Sequence, residues 1–393
     1  MSEIWMTVKL SEIASVKTGP FGSLLHGADY KDFGTPIVTV EHLSEAGIVH
    51  KNLPLVSDKD KERLATYILK EGDIVFSRVG SVDRSSIVSR YENGWLFSGR
   101  LLRVRPNKEQ VCYQFLNYFF HQETFKHKIR GLAVGGTMPC LNTNILENVH
   151  ITLPPVVEQK RISQILSVWD EAIAKTKKLI TAKQKLKIVL LQKLLNSSFC
   201  LSEFKVCTLG EIADINMGQS PSSENYNAKK IGLPLIQGNA DIENMRFVPR
   251  IWTTQVTKTV TADEIIMTVR APVGEVAITD FNACIGRGVC SLSPQLGISK
   301  NFLYFLIIGL EKQWVRLSQG STFTAINSKD IKNLSVKYPL DKSVQESIGN
   351  LGIALEREES LLNQQLQRLQ KQKRGLMQKL LTGKWRVTVE KAD

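Results

Sequence analysis

The 393-residue chain is basic, with 51 Lys and Arg against 38 Asp and Glu and a formal net charge of +13. Its length allows two or three domains with their own cores, and 42% hydrophobic with 23% charged residues is a globular composition. The six cysteines form no C-x-x-C pair, and there is no signal-like N-terminus or long uncharged apolar run, which argues against a disulfide scaffold, a zinc ribbon and a membrane span. We expect a cytoplasmic protein that attracts polyanions such as nucleic acid.

The first 155 residues predict a mixed globule. A short helix lies in LSEIASVKTG (residues 10–19), strands are expected at 36–41, 72–79 and 95–105, and an amphipathic helix contains FLNYFF (115–120). Short apolar strand patterns mixed with helical patterns favour an α/β (α+β) fold. We therefore predict a first globular domain over residues 1–155.

Two long helices are predicted at residues 156–197 and 342–382. The first contains no Gly or Pro, and both carry apolar residues at alternating steps of three and four. A helix of about 40 residues is roughly 60 Å long. We expect the two helices to pair as an antiparallel coiled coil between the globules; the alternative is that each packs only on its own globule.

The chain repeats its own motifs in the same order. LGEIADINMG (209–218) matches LSEIASVKTG, ADEIIMTVR (262–270) matches EGDIVFSRVG (71–80), and IGRGVCSLSP (285–294) matches SGRLLRVRP (98–106). An identical order with small changes in spacing is typical of a duplicated unit. We therefore predict a second similar globule at 198–341, and a C-terminal tail at 383–393 that lies near the N-terminus and closes a circular repeat.

Signatures of catalysis are missing from the sequence. There is neither a G-x-x-x-x-G-K-[ST] phosphate loop nor a G-x-S-x-G elbow, and the six histidines are scattered rather than paired at ligand spacing. We assign no catalytic, metal-binding or cofactor-binding residue to this chain. It resembles a reader or a scaffold more than an enzyme.

Candidate DNA-binding residues lie at strand ends and in polar loops of both globules. Arginine can bond guanine O6 and N7 with two donors, and amides and hydroxyls suit other base edges. A structural role in a turn or cap is the alternative for any one of them. The candidates are Lys17, Thr18, Arg78, Arg84, Arg100, Arg103, Thr137, Gln219, Ser220, Gln237, Asn239, Arg270, Arg287, Ser321, Thr322 and Thr324.

Basic residues on the long helices are candidates for contact with the phosphate backbone. Lys177, Lys178 and Lys185 lie on the first helix, and Lys371 and Arg374 lie on the second. Phosphate contacts of this kind make affinity depend on salt. The alternative is a solvated face of an exposed coiled coil.

The ordered set of motifs resembles the specificity (S) subunits of type I restriction-modification systems. The set comprises LGEIADINMGQSP, GLPLIQGNADI, DEIIMTVRAPVGEVAI, GSTFTAINSKDIKNLSVKYP, and a long helix that contains Q-x-x-I and closes in LMQKLLTGKWRV. The resemblance implies that each globule is a target recognition domain for one half of a bipartite, asymmetric DNA site. It also implies that the helices set the spacing and dock methyltransferase subunits, and that the chain alone is not catalytic.

The resemblance further implies the partners. These are double-stranded DNA, two methyltransferase (modification) subunits that bring S-adenosylmethionine and adenine-N6 methylation, and two restriction subunits that bring ATP- and Mg-dependent translocation and cleavage. No cofactor is expected on this chain and no membrane partner. Two other hypotheses remain open: a coiled-coil scaffold that joins two protein-binding globules, and a stand-alone nuclease with a dispersed active site.

Overall fold

The computed structural model describes residues 5–136, 138–195, 203–243, 246–319 and 325–388. The chain divides into two compact units. Unit 1 comprises Met1–Lys175 with Gln367–Asp393, and unit 2 comprises Thr176–Leu366. Each unit therefore draws on both long helices, and both ends of the chain belong to unit 1.

Unit 1 is built from short strands and helices in three small sheets and one hairpin. The strands are β1 (Met6–Lys9), β2 (Ala14–Thr18), β3 (Tyr30–Lys31), β4 (Thr35–Val38), β5 (Leu43–Ser44), β6 (Gly47–Ile48), β7 (Leu55–Val56), β8 (Ile74–Ser77), β9 (Ser85–Ile87), β10 (Leu96–Phe97), β11 (Leu101–Pro106) and β12 (His150–Leu153). The helices are α1 (Leu10–Ile13), α2 (Asp58–Arg63), α3 (Tyr113–Phe120), α4 (Glu123–Leu132) and α5 (Thr143–Glu147), followed by the long helix α6 (Val156–Leu195).

Unit 2 repeats this series of elements. The strands are β13 (Phe204–Thr208), β14 (Ala213–Met217), β15 (Tyr226–Asn227), β16 (Leu233–Ile236), β17 (Ile242–Glu243), β18 (Arg246–Phe247), β19 (Ile251–Thr253), β20 (Thr259–Val260), β21 (Ile265–Thr268), β22 (Val276–Ile278), β23 (Ala283–Ile285), β24 (Val289–Pro294) and β25 (Ser335–Pro339). The helices are α7 (Leu209–Ile212), α8 (Lys300–Gly309), α9 (Glu311–Gln319) and α10 (Ser328–Lys332), followed by the long helix α11 (Lys342–Leu380).

The two four-strand orders of unit 1 recur within the larger sheets of unit 2. Unit 1 pairs its strands as β2-β11-β8-β9 and β10-β4-β7-β3, and unit 2 contains β14-β24-β21-β22 and β23-β16-β19-β15. In each unit the first and last strands of the globule also pair with each other, as β1-β12 and β13-β25. The predicted α/β (α+β) class and the duplication are therefore confirmed.

The prediction of one strand at residues 95–105 is wrong. The segment forms two strands in two different sheets, β10 and β11, joined by a turn at Ser98 to Arg100. The Ser98 N–H donates to the Val38 carbonyl at 2.9 Å, and the Leu101 N–H donates to the Ser98 carbonyl at 3.0 Å. The continuous apolar run hides this turn because the residues on both sides of it are buried.

Both long helices contribute antiparallel segments to each unit. In unit 1 the Lys373 ammonium lies 2.5 Å from a carboxylate oxygen of Asp170, and in unit 2 Lys187 lies 2.9 Å from Glu359. Asp170 precedes Lys187 on α6, whereas its partner Lys373 follows Glu359 on α11. The predicted antiparallel pairing of the two helices is therefore confirmed.

A buried glutamine in a Q-x-x-I motif links each long helix to its globule by hydrogen bonds. Gln159, 1% exposed, accepts from the Cys112 N–H at 2.8 Å and donates to the Pro154 carbonyl at 2.8 Å. In unit 2, Gln345, also 1% exposed, accepts from the Ser299 N–H at 2.8 Å and donates to the Pro339 carbonyl at 2.9 Å. The two glutamines satisfy equivalent backbone groups, which would otherwise be buried without partners.

In unit 1, the segment after α11 contacts both Trp5 and the start of α6. The Arg386 guanidinium lies over the Trp5 ring at 5.9 Å and forms hydrogen bonds of 2.9 and 2.8 Å with the two carboxylate oxygens of Glu158. The Val387 N–H donates to the same carboxylate at 3.3 Å. The segment after α11 therefore binds the start of α6 close to Trp5.

The Glu356 carboxyl of unit 2 predicts a dependence of stability on pH. Burial raises its pKa to about 7, with the nearby Glu359 acting in the same direction and Lys187 and the Tyr304 hydroxyl opposing it. The folded state then keeps a proton that the unfolded state releases, so this group's contribution to stability falls as pH rises from about 4.5 to 7. Glu356→Gln should remove that fall.

The gain for Glu356→Gln at pH 8 should be about 1–3 kcal/mol, since partial exposure screens the effect. The measurement is the free energy of unfolding between pH 5 and 8. Glu346→Gln, at an exposed position of the same helix, is the control and should keep the wild-type slope. A Glu356→Gln protein with that same slope would contradict the prediction.

Candidate nucleic-acid interface

Two equivalent glycines allow a close approach of backbones at the edge of each unit. A Cβ on Gly19 would lie 2.1 Å from the Ser98 carbonyl oxygen, and one on Gly218 would lie 2.2 Å from that of Gly286. The Gly19 N–H bonds the Leu101 carbonyl and the Gly218 N–H bonds that of Val289, both at 3.0 Å. The final glycine of the repeated motif therefore holds the loop after β2 or β14 against a Gly-Arg turn.

An open cleft of about 500 Å³ lies beside this turn in unit 2. It brings together five of the predicted DNA-binding residues, which the sequence spreads over 68 positions. They are Ser220, Gln237, Asn239, Arg270 and Arg287. The cleft is also lined by Pro221, Ser223, Tyr226, Gly238, Ala271 and Gly288.

The turn that carries Arg287 is fixed by hydrogen bonds and by small residues. The Arg287 N–H donates to the Ser220 hydroxyl at 3.1 Å. Gly288 lies so close to β16 that a Cβ there would be 2.0 Å from the Gln237 carbonyl oxygen. The guanidinium is therefore presented from a rigid turn with an exposed side chain.

Gln219, next to Ser220, is exposed, and its N–H donates to the Ile285 carbonyl at 2.9 Å.

Gln237 is held at the end of β16 by two sets of bonds. Its N–H donates to the Asp241 carboxylate at 2.8 Å, and its side-chain amide donates to the Tyr226 hydroxyl at 3.1 Å. Asp241 is 4% exposed and also pairs with Arg250 at 2.9 Å. Asn239 follows as an exposed residue of the cleft.

The equivalent face of unit 1 has a different chemistry. Phe21 occupies the position of Ser220 and is 62% exposed, with the half-buried Arg78 guanidinium 5.6 Å from its ring centre. Arg100 is exposed, but the matching hydrogen bonds make it the counterpart of Gly288, and Gly99 occupies the position of Arg287. The exposed Arg84 donates to the Leu43 carbonyl, so that this guanidinium contacts the β5-β6 hairpin.

Arg103 does not face outward, contrary to its prediction as a DNA-binding residue. It is 6% exposed, lies 5.9 Å from the Phe97 ring centre, and donates to the Thr66 carbonyl at 3.4 Å. Burial, and then the charge of Arg105, lower its pKa, while Asp73 opposes this. It lies in the middle of β11, which runs between β2 and β8 and has buried residues on both faces, so that either face would place its side chain inside the globule.

Lys17 and Thr18 are half-buried on β2. The Lys17 ammonium lies 4.6 Å from the Tyr67 ring centre. Burial lowers its pKa, and the charges of Arg103 and Arg105 lower it further. The side chains of these two residues are therefore only partly accessible to a ligand of unit 1.

The arginines after β8 and β21 are not equivalent, although the sequence suggests a match. The Arg78 N–H bonds the Arg100 carbonyl at 2.8 Å, and the corresponding bond in unit 2 is made by Val269, to Gly288 at 2.9 Å. Arg270 is thus the counterpart of Val79, one residue further along. Because neighbouring residues of an extended chain point to opposite sides, the two side chains occupy different places.

The predicted phosphate-binding residues are all exposed: Lys177, Lys178 and Lys185 on α6, and Lys371 and Arg374 on α11. Lys178 and Lys185 are seven residues apart and share one face of α6. Their neighbours Lys183 and Lys187 instead pair with Glu358 and Glu359. The helix thus separates lysines that pair with α11 from lysines that face solvent.

Four predicted residues lie outside the described residues: Thr137, Ser321, Thr322 and Thr324. Two residues that the sequence analysis missed are Phe21 and Tyr226. Phe21 is the aromatic residue in TGPFGS and Tyr226 is the one in MGQSPSSENYN, and an aromatic residue among Gly, Pro and Ser is the signal that could have identified them.

Within the described ranges, no group of three or more His, Cys, Asp or Glu side chains is placed to hold a metal ion. None of the helices that the structure describes is long and apolar enough to cross a bilayer.

Two similar α/β units share antiparallel helices, and unit 2 carries an open polar cleft with two exposed arginines, which is typical of a duplicated nucleic-acid recognition protein. The family model for the type I restriction modification DNA specificity domain matches residues 2–184 and 201–371. The chain belongs to this family, and it is a DNA-recognition subunit of the type I restriction-modification kind.

Individual proteins show the same relationship. A Methanocaldococcus jannaschii protein assigned as the type I restriction enzyme MjaX specificity subunit is 33% identical over 376 residues, which is 90% of this chain and 88% of that protein. A chain solved in work on complex assembly and conformational transition of the type I R-M system has a TM-score of 0.63 and 24% identity, covering 96% of this chain and 97% of that one. The type I S subunit from M. genitalium has a TM-score of 0.61 and 17% identity, covering 96% of each chain. At these identities the solved structures show a shared fold alone.

Proposed function

We propose that each unit reads one half of a bipartite, asymmetric DNA site. The observation that carries this proposal is one fold repeated with different side chains on equivalent faces: Phe21 in unit 1 where unit 2 has Ser220, and Val79 where it has Arg270. Base-specific contacts decide sequence preference, so that equivalent faces of different chemistry read different half-sites. We assign residues 1–155 and 198–341 as the two target recognition domains.

We further propose that the long helices, at 156–197 and 342–382, set the spacing of the half-sites and dock two methyltransferase subunits, with the 383–393 tail closing the repeat. Exposed apolar side chains on both helices support a docking role. Leu179 and Leu186, both 44% exposed, are one heptad apart on α6, and Leu361 on α11 is 56% exposed. Exposed apolar residues along a helix are typical of a surface that binds a protein.

In this proposal the chemistry resides on the partners. The methyltransferase subunits supply S-adenosylmethionine and adenine-N6 methylation, and two restriction subunits supply ATP- and Mg-dependent cleavage. The complex acts in the cytoplasm, where host DNA is accessible. This chain contributes recognition and positioning.

The test of DNA binding uses the assembled chain and methyltransferase complex, titrated with duplex DNA at several salt concentrations. Replacing Lys178 and Lys185 with Gln should weaken binding to every duplex alike, because exposed lysines on a helix offer point charges to phosphate. The slope of log affinity against log salt should decrease by about one for each phosphate contact removed.

Lys183→Gln is the matched control, since its ammonium already pairs with Glu358 at 2.7 Å. It should change the salt slope less than either solvent-facing lysine. If the wild-type complex binds no duplex at low or moderate salt, the proposed function is wrong and a protein scaffold becomes the better account.

A further inference from the structure

The unit 2 cleft has an unusual balance of polar groups. Its lining includes two arginines, one glutamine, one asparagine and two serines, and none of its described lining residues is Asp, Glu or Lys. The Arg270 and Arg287 side chains are exposed, and within the described residues neither guanidinium forms a salt bridge or side-chain hydrogen bond. The cleft therefore offers two sets of arginine donors that the protein itself does not occupy.

These donors suit base edges better than phosphate alone. Lysine, which serves phosphate as a point charge, is absent from the described lining, whereas arginine donates two bonds in a fixed geometry. The side-chain amides beside the arginines carry both donors and acceptors, as base edges do. Guanine presents two acceptors, O6 and N7, to such an arginine in the major groove.

The direction of the Gln237 amide follows from its neighbours. The Tyr226 hydroxyl donates to the Pro221 carbonyl at 3.1 Å, and a carbonyl can only accept. The same hydroxyl must then accept from Gln237, at 3.1 Å, which requires the nitrogen of the amide. Gln237 keeps its oxygen and a second N–H, and this is the pair of groups that matches adenine N6 and N7.

We propose that the unit 2 cleft reads a half-site containing guanine, bound by Arg270 and Arg287, and adenine, bound by Gln237, and that Tyr226 is the positioning residue for Gln237. This inference rests on the proposed function, and it names the bases that one unit selects.

The inference applies to unit 2 because unit 1 lacks the same set of groups. Val79 of unit 1 occupies the position that Arg270 occupies in unit 2. Likewise, the Phe21 ring of unit 1 occupies the position of the Ser220 hydroxyl of unit 2. The Arg78 guanidinium lies against that ring and 3.4 Å from the Gly99 carbonyl oxygen. The half-site of unit 1 is therefore read with different contacts.

The experiment uses the full chain assembled with its methyltransferase subunit and a library of duplexes with randomised half-sites. Methylated products are sequenced to obtain the base preference at each position. Arg270→Lys and Arg287→Lys keep the charge but remove the two-donor geometry. Each should lower the preference for guanine at one position of one half-site about tenfold or more, and leave the other half-site unchanged.

Arg316→Lys, at an exposed position on α9 outside the cleft lining, is the matched control and should leave both half-sites unchanged. Tyr226→Phe keeps the ring but removes the group that orients Gln237. It should weaken the preference for adenine at one position of the same half-site, with a thermal unfolding midpoint close to that of the wild type.

Uniform loss of methylation over all sequences in both arginine variants would overturn the inference, since it would place the two side chains on phosphate. An altered half-site that contains no guanine would overturn it as well. If the wild-type complex selects no bipartite site, the proposed function fails first and this inference fails with it.

Discussion

Gly218→Ala should destabilise unit 2 by about 3 kcal/mol, at the upper end of the range for an overpacked site. The new Cβ would lie 2.2 Å from the Gly286 carbonyl oxygen and 2.8 Å from that of Ile285, so it meets backbone that cannot rotate away. The turn that carries Arg287 must then move. We expect loss of stability in urea denaturation of the full chain, together with loss of sequence preference at the half-site read by unit 2.

Gly238→Ala is the matched control for stability, because a Cβ at Gly238 has no atom within 4 Å and its φ of 167° is extended backbone that any residue adopts. It should leave the urea midpoint within error of the wild type. Gly19→Ala should reproduce the Gly218→Ala effect in unit 1, where the contact is with Ser98. Equal urea midpoints for Gly218→Ala and Gly238→Ala would show that the close backbone approach at the Gly-Arg turn does not limit the stability of unit 2.

Gln159→Leu should destabilise unit 1 by about 2–6 kcal/mol. The volume is nearly kept, but the Cys112 N–H and the Pro154 carbonyl both lose their buried partner, and each unpaired group costs about 1–3 kcal/mol. The free energy of unfolding from urea titration measures the loss. Hydrogen exchange at the Cys112 amide should rise in the variant, which locates the effect at the link between α3 and α6.

Gln345→Leu should act in the same way on unit 2 through Ser299 and Pro339. Gln164→Leu provides the control, since this exposed side chain on α6 accepts only one bond, from Arg161 at 3.4 Å. It should change stability by less than about 0.5 kcal/mol. If Gln159→Leu were as stable as Gln164→Leu, the hydrogen bonds of the buried amide would not stabilise the packing of α6 on its globule.

The sequence predicted the class of fold because the relevant signals are local and occur twice. The short helix at LSEIASVKTG and LGEIADINMG forms in both units, and the long helices follow from heptad spacing over about 40 residues. A helix pattern of that length is hard to mistake, since neither proline nor strand alternation interrupts it. The antiparallel pairing follows because two long apolar stripes in one chain can cover each other.

The details of the candidate site depend on contacts that local patterns do not contain. Arg103 is interior because β11 is buried on both faces. Arg270 is shifted by one residue from the position equivalent to Arg78. The role of Tyr226 depends on a hydroxyl that meets residues 5 positions before it and 11 positions after it in the sequence. The turn at Ser98 to Arg100 was missed because buried apolar residues flank it on both sides.

The division of the target between two units is tested most directly by mapping methylated adenines in DNA modified by the assembled complex. The account predicts one motif with two defined parts of different sequence, separated by a fixed number of unread base pairs, and its loss when this chain is omitted. A single continuous motif, or the same methylation pattern without this chain, would contradict it.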